Sequence, residues 1–317
     1  MNAGVPAIAA AICTYRRYDM LAEALGSLAK QRLRPASFEI IVVDNSPDAE
    51  RSFEEAKRHT RLPNLIWMHE PRPGLSNARN VATLRTRAPI VAFLDDDARA
   101  DPDWLSALLA AFGEMGPTTK VVGGRIRPWW GAERPAWLHD ALVPSLTVVD
   151  LGEERRPLRA GEWVAGANIA FRRDALLAHG GFAVNLGRIG GAASLLSNDE
   201  TDLIERIAAA GGIVAYDPAA AVEHFVPPDR LTQAWFRRRM AWQAVSDYLR
   251  KPEEHLARRD QHWQAAKDFV FDCPPADRTL RSLALHSDDP EHLRRQVGAI
   301  YDAVISLLAG LDEADEG

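Results

Sequence analysis

Cysteine is scarce: Cys13 and Cys273 are the 2 cysteines in 317 residues. They stand far apart in the chain, and Cys13 lies in an apolar run of the kind that forms a buried strand. A disulfide framework is therefore not expected, and a reducing, cytoplasmic setting is. Basic charge is short as well. Lys and Arg total 38 against 44 Asp and Glu, a net charge of -6, which argues against nucleic acid as a partner, since that needs a basic surface to displace phosphate counterions. An anionic ligand must then be met locally. No apolar run is long enough to span a bilayer. The first one lacks a basic leader and is stopped by Thr14-Tyr15-Arg16-Arg17, so neither an export signal nor a membrane helix is expected. Internal repeats and low-complexity tracts are missing too.

What is present reads as an enzyme-sized folded chain, with 47% hydrophobic and 26% charged residues. The length predicts one sizeable α/β domain with a smaller appended part. Ile8–Ile12 is short and apolar on both parities, as in a strand covered on both faces of a parallel sheet. Helical spacing follows in Met20, Leu21, Ala24, Leu25 and Leu28, and Phe38–Val43 reads as a second strand ending at Asp44, which makes a βαβ unit. The order repeats with strand Leu65–Met68, helix Leu75–Thr86 and strand Ile90–Leu94, and another helix begins near Pro102. Strand-like Val121–Ile126 leads into a loop-rich insertion over about 127–162. Helical patterning returns at Arg173–His179 and Asp199–Ala210, followed by a strand at Ile213–Tyr216 before Val222-Glu223-His224. Beyond Pro227-Pro228 the chain turns helical and arginine-rich, which predicts a catalytic domain over 1–225 and a C-terminal helical extension over 226–317.

Open parallel sheets bind ligands outside the carboxyl ends of their strands. Asp44 sits at one such end, and Asp95, Asp96 and Asp97 sit at another. Adjacent carboxylates repel one another, and a hard divalent cation such as Mg²⁺ or Mn²⁺ relieves that repulsion with a substrate diphosphate completing its shell. Turn formation and capping of the helix after Asp101-Pro102 is an equally physical account of the same run. Asp44 before Asn45-Ser46-Pro47 also reads as a turn.

Four segments decide between these accounts: Ile12-Cys13-Thr14-Tyr15-Arg16-Arg17, Ile41-Val42-Val43-Asp44-Asn45-Ser46, Gly74-Leu75-Ser76-Asn77-Ala78-Arg79-Asn80 and Ala92-Phe93-Leu94-Asp95-Asp96-Asp97. In that order they resemble the inverting family 2 glycosyltransferases of the GT-A fold. The likeness continues through Gly166-Ala167-Asn168, Gly180-Gly181-Phe182, Asn198-Asp199-Glu200-Thr201-Asp202 and Glu223-His224, and so covers roughly the first 225 residues.

The resemblance implies a GT-A nucleotide-sugar-binding domain with a mostly parallel central sheet, and transfer of a sugar from a nucleotide-sugar donor, a UDP-sugar first, to a carbohydrate, lipid-linked or small-molecule acceptor. It assigns Thr14, Tyr15, Arg16 and Asp44 to the base and ribose, and Asn77 and Arg79 to the nucleotide pocket with Arg79 near phosphate. The DXD motif falls on Asp95 to Asp97. Asp97 is the first choice for a direct metal bond, with Asp95 or Asp96 contacting ribose or reaching the metal through water. His224 resembles a further metal ligand, which favours Mn²⁺ over Mg²⁺ because imidazole suits the softer ion. Trp163, Gly166, Ala167 and Asn168 resemble the segment beneath the donor sugar. The family often has Glu-Asp where this chain has Asp199-Glu200, and its second acid is the base, so Glu200 takes that role with Asp199 as the alternative. Acids in the first turn of any helix also complement its dipole without catalysing anything. Other readings are a nucleotide-sugar-binding protein without turnover and, more distantly, a sugar-nucleotide pyrophosphorylase, whose glycine-rich, lysine-bearing N-terminal signature is missing. The C-terminal helix bearing Trp235, Phe236, Arg237, Arg238, Arg239 and Trp242 reads either as packing on the fold or as peripheral contact with an anionic membrane.

Overall fold

Every residue from Ile8 to Ile12 is withdrawn from solvent, as a strand covered by helices on both faces must be. In the computed structural model, which describes residues 4–62, 64–184, 186 and 195–315, this strand, β1 (Ile8–Thr14), lies inside the sheet. Helix α1 (Tyr18–Leu28) buries Leu21, Ala24, Leu25 and Leu28, as the spacing predicts, and Tyr18 in addition, while Met20 is half-buried. Next come β2 (Phe38–Asp44), α2 (Ala49–Arg58), β3 (Leu65–His69), α3 (Leu75–Arg85), β4 (Ile90–Leu94), β5 (Ala98–Ala100) and α4 (Trp104–Glu114). The chain continues through β6 (Thr119–Trp130), β7 (Arg156–Pro157), β8 (Asn168–Arg172), α5 (Arg173–Ala178), α6 (Asp199–Ala209) and β9 (Ile213–Val226). The helices α7 (Gln233–Arg250), α8 (Pro252–Leu256), α9 (Arg259–Asp272) and α10 (Pro290–Asp315) complete it.

Among the described residues the strands form one sheet in the order β3-β2-β1-β4-β8-β6-β9-β5, with β7 paired to β9. The parallel character expected of it holds for β3, β2, β1 and β4; β8 then runs antiparallel to both β4 and β6, and β5 antiparallel to β9. The chain moves outward from β1 to β3 and returns to place β4 on the other side of β1. The gap between the ends of β1 and β4 is therefore a topological switch point, where such sheets bind ligands.

Strands β5 and β7 are absent from the sequence reading, β6 runs four residues past the expected Ile126, and three further elements depart from it for identifiable reasons. Helix α2 was not expected because it buries only Ser52 and Glu55 and so carries no apolar stripe; its start is fixed by Asp48, which accepts from the Arg51 amide. Strand β8 was hidden by its length, because Ile169-Ala170-Phe171 cannot be told from the start of the helix after it. Strand β9 runs unbroken through Asp217-Pro218, where a turn-forming pair interrupts the pattern; Asp217 bonds locally to the Ala219 amide.

Asn168 shows how the antiparallel half is fastened. Its Oδ1 accepts from Trp104 Nε1 at 2.8 Å, and its Nδ2 donates to the carbonyls of Arg125 at 3.0 Å and Ala220 at 2.7 Å. Gly124 permits this closeness, since a Cβ there would stand 1.8 Å from the Ala220 carbonyl oxygen.

The chain divides into two compact units. One holds Met1–Trp129, Thr147–Gly191 and Asp199–Phe225 and contains the sheet. The other holds Trp130–Leu146, Ala192–Asn198 and Val226–Gly317. In it Ala244 and Tyr248 of α7 pack on Ile305 and Ala309 of α10. Phe236 is wholly buried and meets Trp137 edge-on at 5.9 Å, while Arg237 bonds to Gln296, Gln233 and the Leu285 carbonyl. Those two side chains of the aromatic and basic helix thus serve the interior of their own unit, which disfavours the membrane reading for them. No helix among the described residues is long and apolar enough to cross a membrane.

Candidate active site

The switch point is closed by a hydrogen bond from Thr14 Oγ1 to Asp96 Oδ2 at 2.8 Å, joining the end of β1 to the turn after β4. Arg17 adds a forked contact, Nη1 to Asp96 Oδ1 at 3.0 Å and Nη2 to Asp97 Oδ2 at 2.5 Å. Sequence reasoning quoted Arg17 within a motif but gave it no role; a cation three residues beyond Thr14 and facing a carboxylate run was the available signal. Burial pushes Asp96 up to about 7, with Arg17 opposing and Asp97 adding to the rise. Burial acts on Asp97 in the same direction, but the His224 ring and Arg17 outweigh it and hold Asp97 well below the usual carboxylate range.

His224 reaches this turn through the sheet. It pairs with Ala98 in the β5–β9 ladder, and the next amide, Phe225 N–H, donates to the Asp97 carbonyl at 2.9 Å. Its Nε2 lies 3.2 Å from Asp97 Oδ1 and 3.9 Å from Asp95 Oδ2. Ligand-capable atoms of Asp95, Asp97 and His224 all fall within 4.8 Å of one another. His224 Nδ1 is buried without a hydrogen-bond partner among the described residues, and Asp97 Oδ1 is buried facing the His224 ring, so a cation there would meet a carboxylate oxygen that solvent does not reach. Two carboxylates and one imidazole suit Mn²⁺ better than Mg²⁺. The residues present fit such an ion.

A second acidic group lies beside the first, and Arg79 joins them. Its Nη1 is 2.8 Å from Asp199 Oδ2 and 3.9 Å from Glu200 Oε2, and its Nη2 is 3.7 Å from Asp95 Oδ1. Arg79 was expected near phosphate, but it is 4% exposed and lies between carboxylates and the rings of Phe93 and Phe182. A charge so deeply buried is held by its own partners. Ser76 Oγ gives Asp199 Oδ2 a second bond at 3.1 Å, and despite its burial Asp199 is kept below the usual range by Arg79. Glu200 differs: its side chain is 20% exposed, its Oε1 accepts from the Gly166 amide at 3.2 Å, and burial together with Asp199 pushes it up to about 7. The paired acids thus differ in surroundings, Arg79 holding Asp199 below the usual range and burial with Asp199 raising Glu200.

Gly166 is tied to this arrangement, because a Cβ on it would stand 2.3 Å from Arg79 Nη2. Gly166→Ala is expected to drive the guanidinium off Asp199 and to lower stability by about 1–3 kcal/mol, the usual range for overpacking. A urea midpoint equal to that of the unsubstituted chain would contradict this. Other expected site residues are placed as follows. Trp163 is 43% exposed. Ala167 is buried and accepts the Asp95 amide through its carbonyl. Asn168, expected beneath a sugar, has its amide engaged in the sheet and is wholly buried. Asp44 is also wholly buried, with its oxygens bonded to the Ser46 amide and the Tyr18 hydroxyl. Arg16 has a left-handed backbone, φ 59°, lies 5.5 Å over the Tyr15 ring and donates its amide to Ser46 Oγ. Asn77 Nδ2 donates to the Arg72 carbonyl. Asn45, read only as part of a turn, accepts the Gly74 amide and donates to the Glu70 and Arg72 carbonyls, so it ties the end of β2 to the start of α3.

This combination of switch point, acidic turn and second acid pair has a counterpart among known proteins. Residues 10–177 match the family model described as glycosyl transferase family 2. The chain belongs to that family. Within it, the chain is 33% identical to the succinoglycan biosynthesis protein ExoM of Rhizobium meliloti over 232 residues, 72% of this chain and 70% of the relative. It is 27% identical to the glucosyl-dolichyl phosphate glucuronosyltransferase of Haloferax volcanii over 243 residues, 75% of each chain. Among solved structures, a mannosyltransferase from Pyrobaculum calidifontis, determined with GDP-Man and Mn²⁺, superposes with a TM-score of 0.60 at 21% identity, covering 96% of this chain and 87% of that one. That likeness establishes the GT-A fold. As a family 2 member the chain is a glycosyltransferase with a nucleotide-sugar donor.

Proposed function

We propose that this glycosyltransferase inverts the configuration of the transferred sugar, that its donor is a UDP-sugar and that it acts with a divalent cation. The observation that carries the reading is the cluster of Asp95, Asp97 and His224, whose ligand-capable atoms lie within 4.8 Å of one another, beside a separate acid, Glu200, pushed up to about 7. Asp95, Asp97 and His224 would hold the cation. When bound, it supplies positive charge against the negative charge that builds on the leaving diphosphate.

The chain's own residues supply the rest. Glu200 accepts the proton of an acceptor hydroxyl as that oxygen bonds to the anomeric carbon, and the bond from that carbon to the diphosphate breaks on the opposite face. Arg79 keeps Asp199 ionised, so a proton arriving at the pair is taken by Glu200. Arg17 holds Asp96 and Asp97 in fixed orientations next to the donor's phosphates. A carbohydrate hydroxyl is the proposed acceptor, in keeping with the succinoglycan biosynthesis and the glucosyl-dolichyl phosphate glucuronosyl transfer named for two sequence relatives.

The test is thermal denaturation with UDP-glucose, UDP-glucuronate and GDP-mannose, each with Mn²⁺, Mg²⁺ or EDTA. A donor at a hundred times its dissociation constant adds about 2.7 kcal/mol to stability. A UDP-sugar is expected to do so in Mn²⁺ and to lose the effect in EDTA. Equal stabilisation in EDTA would remove the metal from the proposal, and stabilisation by GDP-mannose alone would replace the donor.

A further inference from the structure

Three strand ends meet at one buried hydroxyl. Ser46, two residues past the end of β2, is 1% exposed. Its Oγ accepts the Arg16 amide at 2.8 Å and lies 3.3 Å from the Tyr18 hydroxyl. Its own amide donates to Asp44 Oδ1 at 3.0 Å, and its carbonyl accepts from Nε2 of His69, the last residue of β3, at 2.7 Å. The Asn45 amide donates to the Thr14 carbonyl at 2.8 Å, so two successive residues after β2 are bonded to the chain leaving β1. Arg16 in that chain keeps a left-handed backbone, φ 59°, a conformation that residues other than glycine hold only when their surroundings enforce it. The bond from its amide to Ser46 is that enforcement. The guanidinium so placed lies 5.5 Å over the Tyr15 ring, and a ring and a guanidinium plane are the surfaces on which a planar base stacks.

The sheet order fixes which end of a nucleotide sugar comes here. Glu200 is held by the Gly166 amide, just before β8, and β8 lies beside β4 on the side away from β1. With the diphosphate at Asp95 to Asp97 after β4, the sugar lies toward β8 and the nucleoside toward the ends of β1 and β2. We propose that Ser46 is a positioning residue for the donor's nucleoside. Its hydroxyl holds Arg16 in the left-handed turn, with Tyr15 beside it, before the donor arrives, so that binding costs no ordering of that turn. This rests on the reading of the turn after β4 as the diphosphate site. Without the hydroxyl the turn relaxes, and re-forming the left-handed backbone at each binding event lowers affinity about five- to thirtyfold.

The test uses the full chain in Mn²⁺ and two probes that share their phosphates, UDP and inorganic pyrophosphate, each titrated calorimetrically. Ser46→Ala is expected to weaken UDP about five- to thirtyfold and pyrophosphate less than about twofold, whereas a general loosening of the site weakens both. In hydrolysis of UDP-glucose the same variant raises KM by that factor with kcat within about twofold. A double-mutant cycle isolates the turn. In an Arg16→Gly background glycine holds φ 59° unaided, so Ser46→Ala should there cost UDP binding less than about twofold. Equal loss for UDP and pyrophosphate, no loss for UDP, or the full loss again in the Arg16→Gly background overturns the proposal. Asp97→Asn is titrated in parallel. If it binds UDP as tightly as the unsubstituted chain, the diphosphate assignment falls, and the cycle alone decides whether Ser46 sets the turn. If the unsubstituted chain takes GDP and not UDP, the UDP reading falls, and the same comparison of GDP with pyrophosphate decides Ser46.

Discussion

Asp97→Asn is expected to abolish metal-dependent donor binding while leaving the fold intact. Asparagine has nearly the same shape and keeps an oxygen for Arg17, whose Nη2 lies 2.5 Å from Asp97 Oδ2. What it loses is the negative charge facing His224 and Asp95, 1% exposed and so poorly screened by water. Removing an outer-shell partner of a metal site costs about 10- to 100-fold in affinity or activity, and a direct ligand should cost at least the upper end of that range. Isothermal titration with MnCl₂ and UDP-glucose should show the loss, with an unfolding midpoint close to that of the unsubstituted chain. Mn²⁺ affinity within a factor of about three would move the ion away from Asp97. His224→Gln should give a smaller loss in the same direction, because two carboxylates remain.

Glu200→Gln should preserve Mn²⁺-dependent donor binding and lower transfer by about 10²- to 10⁴-fold, the usual contribution of a general base. The pH dependence separates it from its neighbour. Glu200, pushed up to about 7, accepts a proton only when ionised. The kcat/KM of the unsubstituted chain should therefore fall roughly tenfold per pH unit below about 7 and level off above it. In Glu200→Gln that limb should vanish. Were Asp199 the base, the limb would lie below the usual carboxylate range, because Arg79 holds that acid there, and the rate would not fall near pH 7. A flat profile together with an active Glu200→Gln variant would transfer the role to Asp199, and Asp199→Asn should then be the inactive form.

How much of this was legible beforehand depends on the range of the interactions involved. Strands β1, β2 and β4 were read within two residues of their ends, because being buried on both faces leaves an unbroken apolar run that polar residues terminate. The placement of Asp95 to Asp97 at such an end followed from the same pattern. Helix α2 and strand β8 were not read. The first is held by a cap and by salt bridges rather than by an apolar face, and the second is too short for any periodicity to develop. Asn168 was expected beneath the donor sugar, and its engagement with three partners in the sheet was not legible, because a buried amide looks, in a sequence, like any other asparagine.

The sequence by itself determined that an α/β sheet would present carboxylates at its strand ends and that the motif order is that of a family 2 glycosyltransferase. Both are carried by local patterns that survive without knowledge of neighbours. Only the tertiary structure decided what surrounds each acid. His224 meets Asp97 because β9 runs on past its proline to pair with β5, and Arg79 lies buried against Asp199 because Gly166 leaves room for its guanidinium there. The state of each carboxylate follows from those meetings. A charge's free energy depends on burial and on the charges within a few ångströms, and these are supplied by residues far away in the chain.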